Sequence, residues 1–172
     1  AITAGSRGIR NVDEITRSVV ACVKHCGATP FIVPAMGSHG GATAEGQKDM
    51  LAGFGITEEK MGCEIRSSME TVLLGYSELG KPVYMDRNAY ESDGVSLSCR
   101  LKPHNAFRGP IESGPCKMMT VGLGKQKGAE QVHSDGMDII AKIIPTMAKV
   151  TLGPGKILFA SPCLENAYDQ TM

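Results

Sequence analysis

Residues 30–47 read PFIVPAMGSHGGATAEGQ, and this stretch decides the fold class of the chain. Its apolar run at 31–33 is typical of a fully buried strand, and a glycine-rich loop follows at 36–42. A helix is predicted to begin near Thr43 and to end near Phe54. A buried strand that passes through a loop into a helix is the repeating unit of α/β proteins.

The residues before this stretch carry the same pattern. The chain opens on an apolar, strand-like run at 1–4, and after the loop GSRGIRN residue Asp13 can cap a helix that Gly27 ends. Together the two segments predict a βαβα unit. The predicted apolar face of the first helix comprises Ile15, Val19, Cys22, Val23 and Cys26.

A hairpin interrupts the alternation in the middle of the chain. Strands at 71–75 and 82–85 flank the four-residue turn Ser77-Glu78-Leu79-Gly80. The later predicted elements are a strand at 94–99, a helix start at Ser113-Gly114-Pro115, a helix at 137–150 interrupted near Pro145, and a strand at 157–160.

This order predicts a single α/β domain over residues 1–172. We expect an open, mostly parallel, Rossmann-like sheet with flanking helices and an added β-hairpin. The chain opens inside an apolar run without a start methionine and closes shortly after a strand, so we also expect it to be a fragment of a longer protein.

The composition excludes several classes of function. The 18 basic residues are scattered among 18 acidic ones, so the formal net charge is zero and no basic surface for nucleic acid or anionic membrane is expected. No apolar run approaches the roughly 20 residues that span a bilayer, and no leader sequence opens the chain, which predicts a soluble cytoplasmic protein. The six cysteines lack CxxC pairs, so we expect reduced, mostly packed thiols.

Three of the four histidines are predicted to lie on loops, where an imidazole can do chemistry. His39, His104 and His133 lie in segments marked by glycine or proline, whereas His25 belongs to the first helix and is expected to be structural. Two of the loop imidazoles could act as an acid/base pair, because histidine titrates near neutral pH, and a third could bind a metal.

The order of the elements suggests where these groups meet. Arg7, His39 and His104 each follow a predicted strand, and ligands of open α/β sheets gather beyond the carboxyl ends of strands. If the three strands are parallel neighbours, the three side chains can reach one crevice. The planar guanidinium of Arg7, between glycines, suits a carboxylate or phosphate, although a lone arginine is more often a surface charge.

The segment 117–133, KMMTVGLGKQKGAEQVH, resembles a phosphate cradle but matches no standard nucleotide motif. Its glycines are spaced one residue too widely for GxGxxG, and it lacks the GK[ST] ending of a P-loop. Lys117 lies at a predicted helix start, whose positive end would disfavour the ammonium and favour a nucleophilic amine.

Several of these segments together resemble the nickel-dependent lactate racemase family and its uncharacterised relatives. They are 30–47 as quoted, GITEEKMG at 55–62, KPHNAFRGPIESGPCKMMTVGLGK at 102–125, and the later His133. The spacing of His39 from His104 and of Lys117 from His133 also fits the family, and the resemblance extends over about the whole chain.

The resemblance implies a site, a cofactor and a reaction. Lys117 would hold a nickel pincer nucleotide, a pyridinium mononucleotide bound through a thioamide, and His133 would complete the nickel coordination. His39 and His104 would be the catalytic acid/base pair, and Arg7 would bind the substrate carboxylate. The implied activity is that of an isomerase, a racemase or epimerase of a 2-hydroxy acid, in which hydride moves to the cofactor and back.

The resemblance also implies partners. The family has a C-terminal domain that closes over the cofactor. We expect that domain to be absent from this fragment, and we therefore expect the isolated chain to be inactive. The cofactor would come from cofactor-making enzymes, and the substrate would be a small 2-hydroxy acid or sugar acid.

Two departures from the family pattern leave the substrate open. Ala4 and Ser6 stand where the family has an acid and a threonine, and the segment between His104 and Lys117 is longer. A nucleotide- or metal-binding relative without racemase activity, and a domain whose glycine-rich loops serve assembly only, remain as alternatives.

Overall fold

The protein alternates strands and helices along most of its length, and the computed structural model describes residues 1–6, 8–104, 107–166, 168 and 170. The strands are β1 (Ile2–Ala4), β2 (Ile32–Pro34), β3 (Thr71–Tyr76), β4 (Pro82–Asp86), β5 (Val95–Leu101) and β6 (Ile157–Leu164). The helices are α1 (Val12–His25), α2 (Ala44–Gly53), α3 (Glu58–Met61), α4 (Arg87–Glu91), α5 (Pro115–Lys117), α6 (Lys125–His133) and α7 (Met137–Leu152), with a 3₁₀ turn at Gly40–Ala42 and a π-helical turn at Met118–Gly122.

Four strands form one parallel sheet in the order β2-β1-β5-β6. β3 and β4 pair with each other as a separate antiparallel hairpin. The predicted fold class, an open α/β sheet with an added hairpin, is therefore confirmed. Because parallel strands all end at the same edge, the loops that follow β1, β2 and β5 lie together there.

Helices and hairpin cover both faces of the sheet, as β2 illustrates. Ile32 packs with Val20 of α1 and Leu51 of α2 on one face. Val33, the next residue, packs with Met85 of the hairpin on the other face. Burial on both faces explains why this strand is a continuous apolar run in the sequence rather than an alternating one.

The buried face of α1 differs from the predicted one. The N-cap is Asn11 rather than Asp13, and the buried residues are Thr16 and Val20. The Thr16 hydroxyl donates a 2.7 Å hydrogen bond to the Val12 carbonyl, so its polar atom is satisfied within the helix and can be buried. Val19 and Val23 of the predicted face do pack, half-buried, against the same core, so the prediction is correct for these two residues and misses Thr16 and Val20.

The cysteines are less packed than predicted. All six lie within the described residues and none is in a disulfide, but only Cys99 is buried. Cys22 and Cys26, predicted on the apolar face of α1, are exposed, and Cys63, Cys116 and Cys163 are half-buried.

The predicted interruption near Pro145 does not occur, because α7 continues through it. Ile143, Ile144 and Met147 are completely buried around the proline. A proline inside a helix costs about 3 kcal/mol, and burying several large side chains at about 1.5–3 kcal/mol each outweighs that cost. Packing, rather than local preference, keeps this helix whole.

β6 is longer than the predicted strand at 157–160, and it forms an edge of the parallel sheet. Pro162 lies within it and pairs with Cys99 of β5. An edge strand tolerates proline because one side of its backbone has no strand to bond.

None of the helices in the described part of the chain combines the length and the apolar character needed to cross a lipid bilayer.

A buried ion pair joins the carboxyl end of β2, helix α2 and the hairpin. Lys125 at the start of α6 and Asp86 at the end of β4 are both completely buried, and Nζ lies 3.1 Å from Oδ2. The same ammonium donates to the Pro34 carbonyl at 2.5 Å and to Gln47 Oε1 at 3.0 Å. Burial raises the pKa of Asp86 and lowers that of Lys125. The positive charge of Lys125 acts to lower the pKa of Asp86, and the negative charge of Asp86 acts to raise that of Lys125.

Replacing Lys125 by methionine is expected to lower the free energy of unfolding by about 3–5 kcal/mol, because the carboxylate of Asp86 would be left buried without its counterion. Urea denaturation followed by circular dichroism measures this change. Lys127→Met, on the exposed side of the same helix, should change stability by less than about 0.5 kcal/mol.

The double variant Lys125→Met/Asp86→Asn should cost less than the sum of the two single changes, because no unpaired charge remains. Equal losses for the Lys125 and Lys127 variants would contradict this account of the pair.

Candidate active site

A cavity of about 350 Å³ opens at the edge of the sheet where β1, β2 and β5 end. Its walls include Ala4 from β1, Ala35 just after β2 and Cys99 from β5. This is the edge at which open α/β sheets bind ligands. The four predicted site residues that the structure describes all line this cavity: His39, His104, Lys117 and His133.

Arg7, the residue predicted to bind a carboxylate, lies outside the described residues. Its neighbours Gly5 and Ser6 line the cavity. The role of Arg7 stays a prediction.

His39 lies in the loop after β2, and two contacts hold it. Its ring Nδ1 is 2.5 Å from the hydroxyl oxygen of Ser6, in the loop after β1. Its backbone carbonyl accepts a 3.2 Å hydrogen bond from Nε2 of Gln47, which also donates to the Gly37 carbonyl at 2.9 Å. Because Gln47 is itself held by Lys125, the buried ion pair extends to the backbone of His39.

The glycines around His39 let the loop pack closely against its neighbours, and they also leave the loop backbone open to a ligand. Gly40 has a φ of 66°, and a Cβ there would lie 2.6 Å from the carbonyl carbon of Gly46 in α2. A side chain at position 40 would therefore clash with backbone that cannot move aside. The helix begins where it was predicted to, and Thr43 is its N-cap, since the Thr43 hydroxyl accepts a hydrogen bond from the Gly46 amide.

His104 follows β5 and is fixed by its neighbours. Its backbone amide donates to Glu112 at 2.7 Å, and its ring stacks on Phe107 with the centroids 4.3 Å apart. Its Nε2 lies 2.7 Å from Nζ of Lys117. Burial, followed by the positive charges of Lys117 and Lys102, lowers the pKa of His104 below its usual value.

Lys117 is the third residue of α5, which begins at Pro115 as predicted. The helix is only three residues long and continues into the π-helical turn, whose Leu123 amide donates to the Met118 carbonyl at 2.8 Å. Single π turns are frequent at functional sites. The turn directs Lys117 into the cavity beside His104.

His133 lies on a helix, so its predicted position on a loop was wrong. It is the last residue of α6, and its Nδ1 is 2.6 Å from the Ala129 carbonyl one turn earlier. A carbonyl only accepts, so Nδ1 carries the proton and Nε2 keeps the lone pair that a metal requires.

A metal bound by His133 would need other ligands from a bound molecule. Within the described residues no group of three His, Cys, Asp or Glu side chains could hold a metal ion. A tethered organic cofactor that carries its own metal ligands would need one imidazole for the metal and one lysine amine for its attachment. His133, with its tautomer fixed, and Lys117 provide these two groups. The residues present fit such a cofactor.

The cavity is cationic. Arg100, Lys102 and Lys117 line it, and no Asp or Glu is among its described lining residues. Nε of Arg100 lies 3.1 Å from Oε2 of Glu165, a partner that offsets its charge. The remaining positive charge favours an anionic ligand.

Sequence reasoning missed Ser6, Gln47 and Lys125. Lys125 adopts a φ of 55°, which is uncommon for a lysine, and is completely buried. In the sequence it stands in GKQKG beside exposed Lys127, and nothing local distinguishes the two. The one feature of the sequence that could have indicated a role for Gln47 was its position one turn into the helix that follows the His39 loop.

No protein-family model and no curated protein matches the chain. Among solved structures it is similar to the lactate racemase apoprotein from Thermoanaerobacterium thermosaccharolyticum, with a TM-score of 0.66 and 15% sequence identity. The match covers 99% of this chain and 43% of that chain. The chain thus has a lactate-racemase-like fold and spans less than half the length of that protein.

The low pKa of His104 can be measured by titrating the histidine Cε1 protons by NMR. We expect His104 to titrate below the usual value of 6.5, and Lys117→Met to raise its pKa part of the way back, because burial remains after the charge is gone. A folded-state pKa below the unfolded one also means that protonating His104 destabilises the fold as the pH falls through this range. An unchanged pKa of His104 in Lys117→Met would contradict the contact.

Proposed function

We propose that this chain is the cofactor-bearing part of an isomerase that racemises or epimerises a 2-hydroxy acid with a nickel pincer nucleotide tethered to Lys117. One observation carries the proposal: residues from four separate segments, of the types that the resemblance assigns, line a single cationic cavity at the carboxyl edge of the sheet. The shared fold with a lactate racemase supports it independently.

Lys117 and His133 would hold the cofactor. The Lys117 amine would form the covalent link, and Nε2 of His133, left unprotonated by the bond of Nδ1 to Ala129, would bind the nickel. When bound, the nickel pincer nucleotide would accept the hydride from the substrate carbon and return it.

His39 and His104 would move the proton of the substrate hydroxyl. They approach the cavity on loops that follow different strands, β2 and β5, so one substrate can lie between them. His104 suits the base because its lowered pKa keeps the ring neutral at pH 7. His39 is oriented by Ser6, whose hydroxyl can either donate to or accept from Nδ1 as the ring changes protonation.

The cationic cavity supports a carboxylate substrate. Arg7 is the residue we propose to bind that carboxylate, in the loop that also provides Ser6. Ala4 at the end of β1 contributes no acid to the cavity, so the substrate need not be lactate, and a larger hydroxy acid or a sugar acid is equally consistent.

The proposal includes further partners. A second, C-terminal domain of the full-length protein would close over the cofactor, in keeping with the match to 43% of the neighbour's chain. Cofactor-making enzymes would supply the pincer nucleotide. We assign the protein to the cytoplasm, where six cysteines without disulfides are ordinary.

Co-expression of the full-length protein with the cofactor-making enzymes tests the proposal. Intact-protein and peptide mass spectrometry should detect the pincer adduct on Lys117 and none in Lys117→Arg. Unmodified protein that retains a nucleotide would favour a nucleotide-binding relative, and unmodified protein without a ligand would favour an assembly role.

The acid/base pair is tested in the same preparation. His39→Gln and His104→Gln should each reduce the rate of racemisation per pincer-modified molecule by about 10²-fold or more, the usual contribution of general acid/base catalysis, with the modified fraction of each variant quantified by mass spectrometry. His25→Gln, on α1, is the matched control and should leave the rate unchanged. A variant of His39 or His104 that keeps full activity would remove that residue from the mechanism.

A further inference from the structure

The contact between Lys117 and His104 suggests a second role for the histidine. Nζ of Lys117 and Nε2 of His104 are 2.7 Å apart, a direct hydrogen bond between an amine and an imidazole. We propose that His104 is also the general base for covalent bond formation at Lys117, accepting the proton that the amine loses when it is acylated. This inference rests on the proposed function, because that function makes Lys117 the attachment point.

Acylation of an amine requires such a base. The Lys117 ammonium first releases a proton to solvent. The lone pair of the neutral Nζ then attacks the carbonyl or thiocarbonyl carbon of an activated acyl group, and a C–N bond forms as the C=O or C=S π bond opens. The nitrogen then carries a positive charge and an acidic N–H, and the adduct reverts by expelling the amine unless that proton leaves. When Nε2 of His104 accepts the proton, the leaving group departs with its electron pair and an amide or thioamide remains.

The geometry around His104 suits this transfer. An ammonium can only donate, so opposite the protonated Lys117 the neutral ring of His104 accepts at Nε2 and carries its hydrogen on Nδ1. Stacking on Phe107 and the bond from the His104 amide to Glu112 hold the residue in place. The base therefore needs no rearrangement before it acts.

The surrounding charges support the same conclusion. Burial disfavours the imidazolium of His104 most strongly, and the charges of Lys117, Lys102 and His133 act in the same direction, while Glu112 opposes them. The pKa of His104 is therefore lowered, and its ring is neutral and can accept a proton at neutral pH. Among the described cavity residues there is no carboxylate that could take this role instead.

The test uses acetylation by N-acetoxysuccinimide, a small activated ester, on the cofactor-free full-length protein. Peptide mass spectrometry gives the rate at Lys117 relative to the rate at Lys102, a second lysine of the same cavity. In His104→Gln the amide oxygen can still accept a hydrogen bond from Lys117 but cannot take a proton. We expect the relative rate at Lys117 to fall at least about tenfold in that variant and to stay unchanged in His25→Gln.

A relative rate in His104→Gln equal to that of the unaltered protein would overturn the proposal. Circular dichroism and thermal unfolding establish that the variant is folded. If it is not, the pH dependence of the unaltered protein decides. The relative rate should rise as His104 loses its proton and level off at neutral pH, because the pKa of His104 lies below its usual value of 6.5, and a flat profile would refute the role.

The outcome is independent of the reaction proposed above. The reagent is neither the pincer nucleotide nor a hydroxy acid, so fast, His104-dependent acetylation without a pincer adduct would support the base role and refute the racemase. If the adduct forms equally well in His104→Gln and the acetylation rate is unchanged, the base role of His104 is refuted and the proposed racemase function is not.

Discussion

The buried ammonium of Lys125 is the constraint on which the rest of the molecule depends. It is completely inaccessible to solvent and is surrounded by the Pro34 carbonyl, the Gln47 amide oxygen and the Asp86 carboxylate. These partners belong to the end of β2, to α2 and to the end of the hairpin. A buried charge tolerates no missing partner, so the three elements must meet where Lys125 is, and their mutual positions follow.

This network joins the core to the site. Gln47 accepts from Lys125 with its oxygen and donates with its nitrogen to the carbonyls of Gly37 and His39. The loop that presents His39 is thus held by a chain of polar contacts that begins in the core. Functional groups are positioned most precisely when rigid neighbours hold them, and His104, in contact with Phe107 and Lys117, follows the same rule.

The alternation of strands and helices was predictable from the sequence because it is reflected in residue type. Burial on both faces makes β2 a continuous apolar run, and a threonine caps α2. The buried face of α1 and the continuity of α7 could not be predicted from the sequence. Thr16 is buried because an internal hydrogen bond satisfies its hydroxyl, and Pro145 is tolerated because the side chains around it are buried. Which residues of α1 and α7 are covered depends on elements from elsewhere in the chain that pack against them, and local periodicity does not contain that information.

The sequence by itself determined the fold class and the residue types available for chemistry, since both follow from local pattern and motif. Only the tertiary structure decided that His39, His104, Lys117 and His133 share one cavity, that His133 belongs to a helix, and that Lys125 rather than Lys127 is the buried lysine. The physical reason is that hydrogen bonds and ion pairs between residues far apart in the chain form only when the sheet brings strand ends together. Their energies depend on distance and burial, which are properties of the folded arrangement.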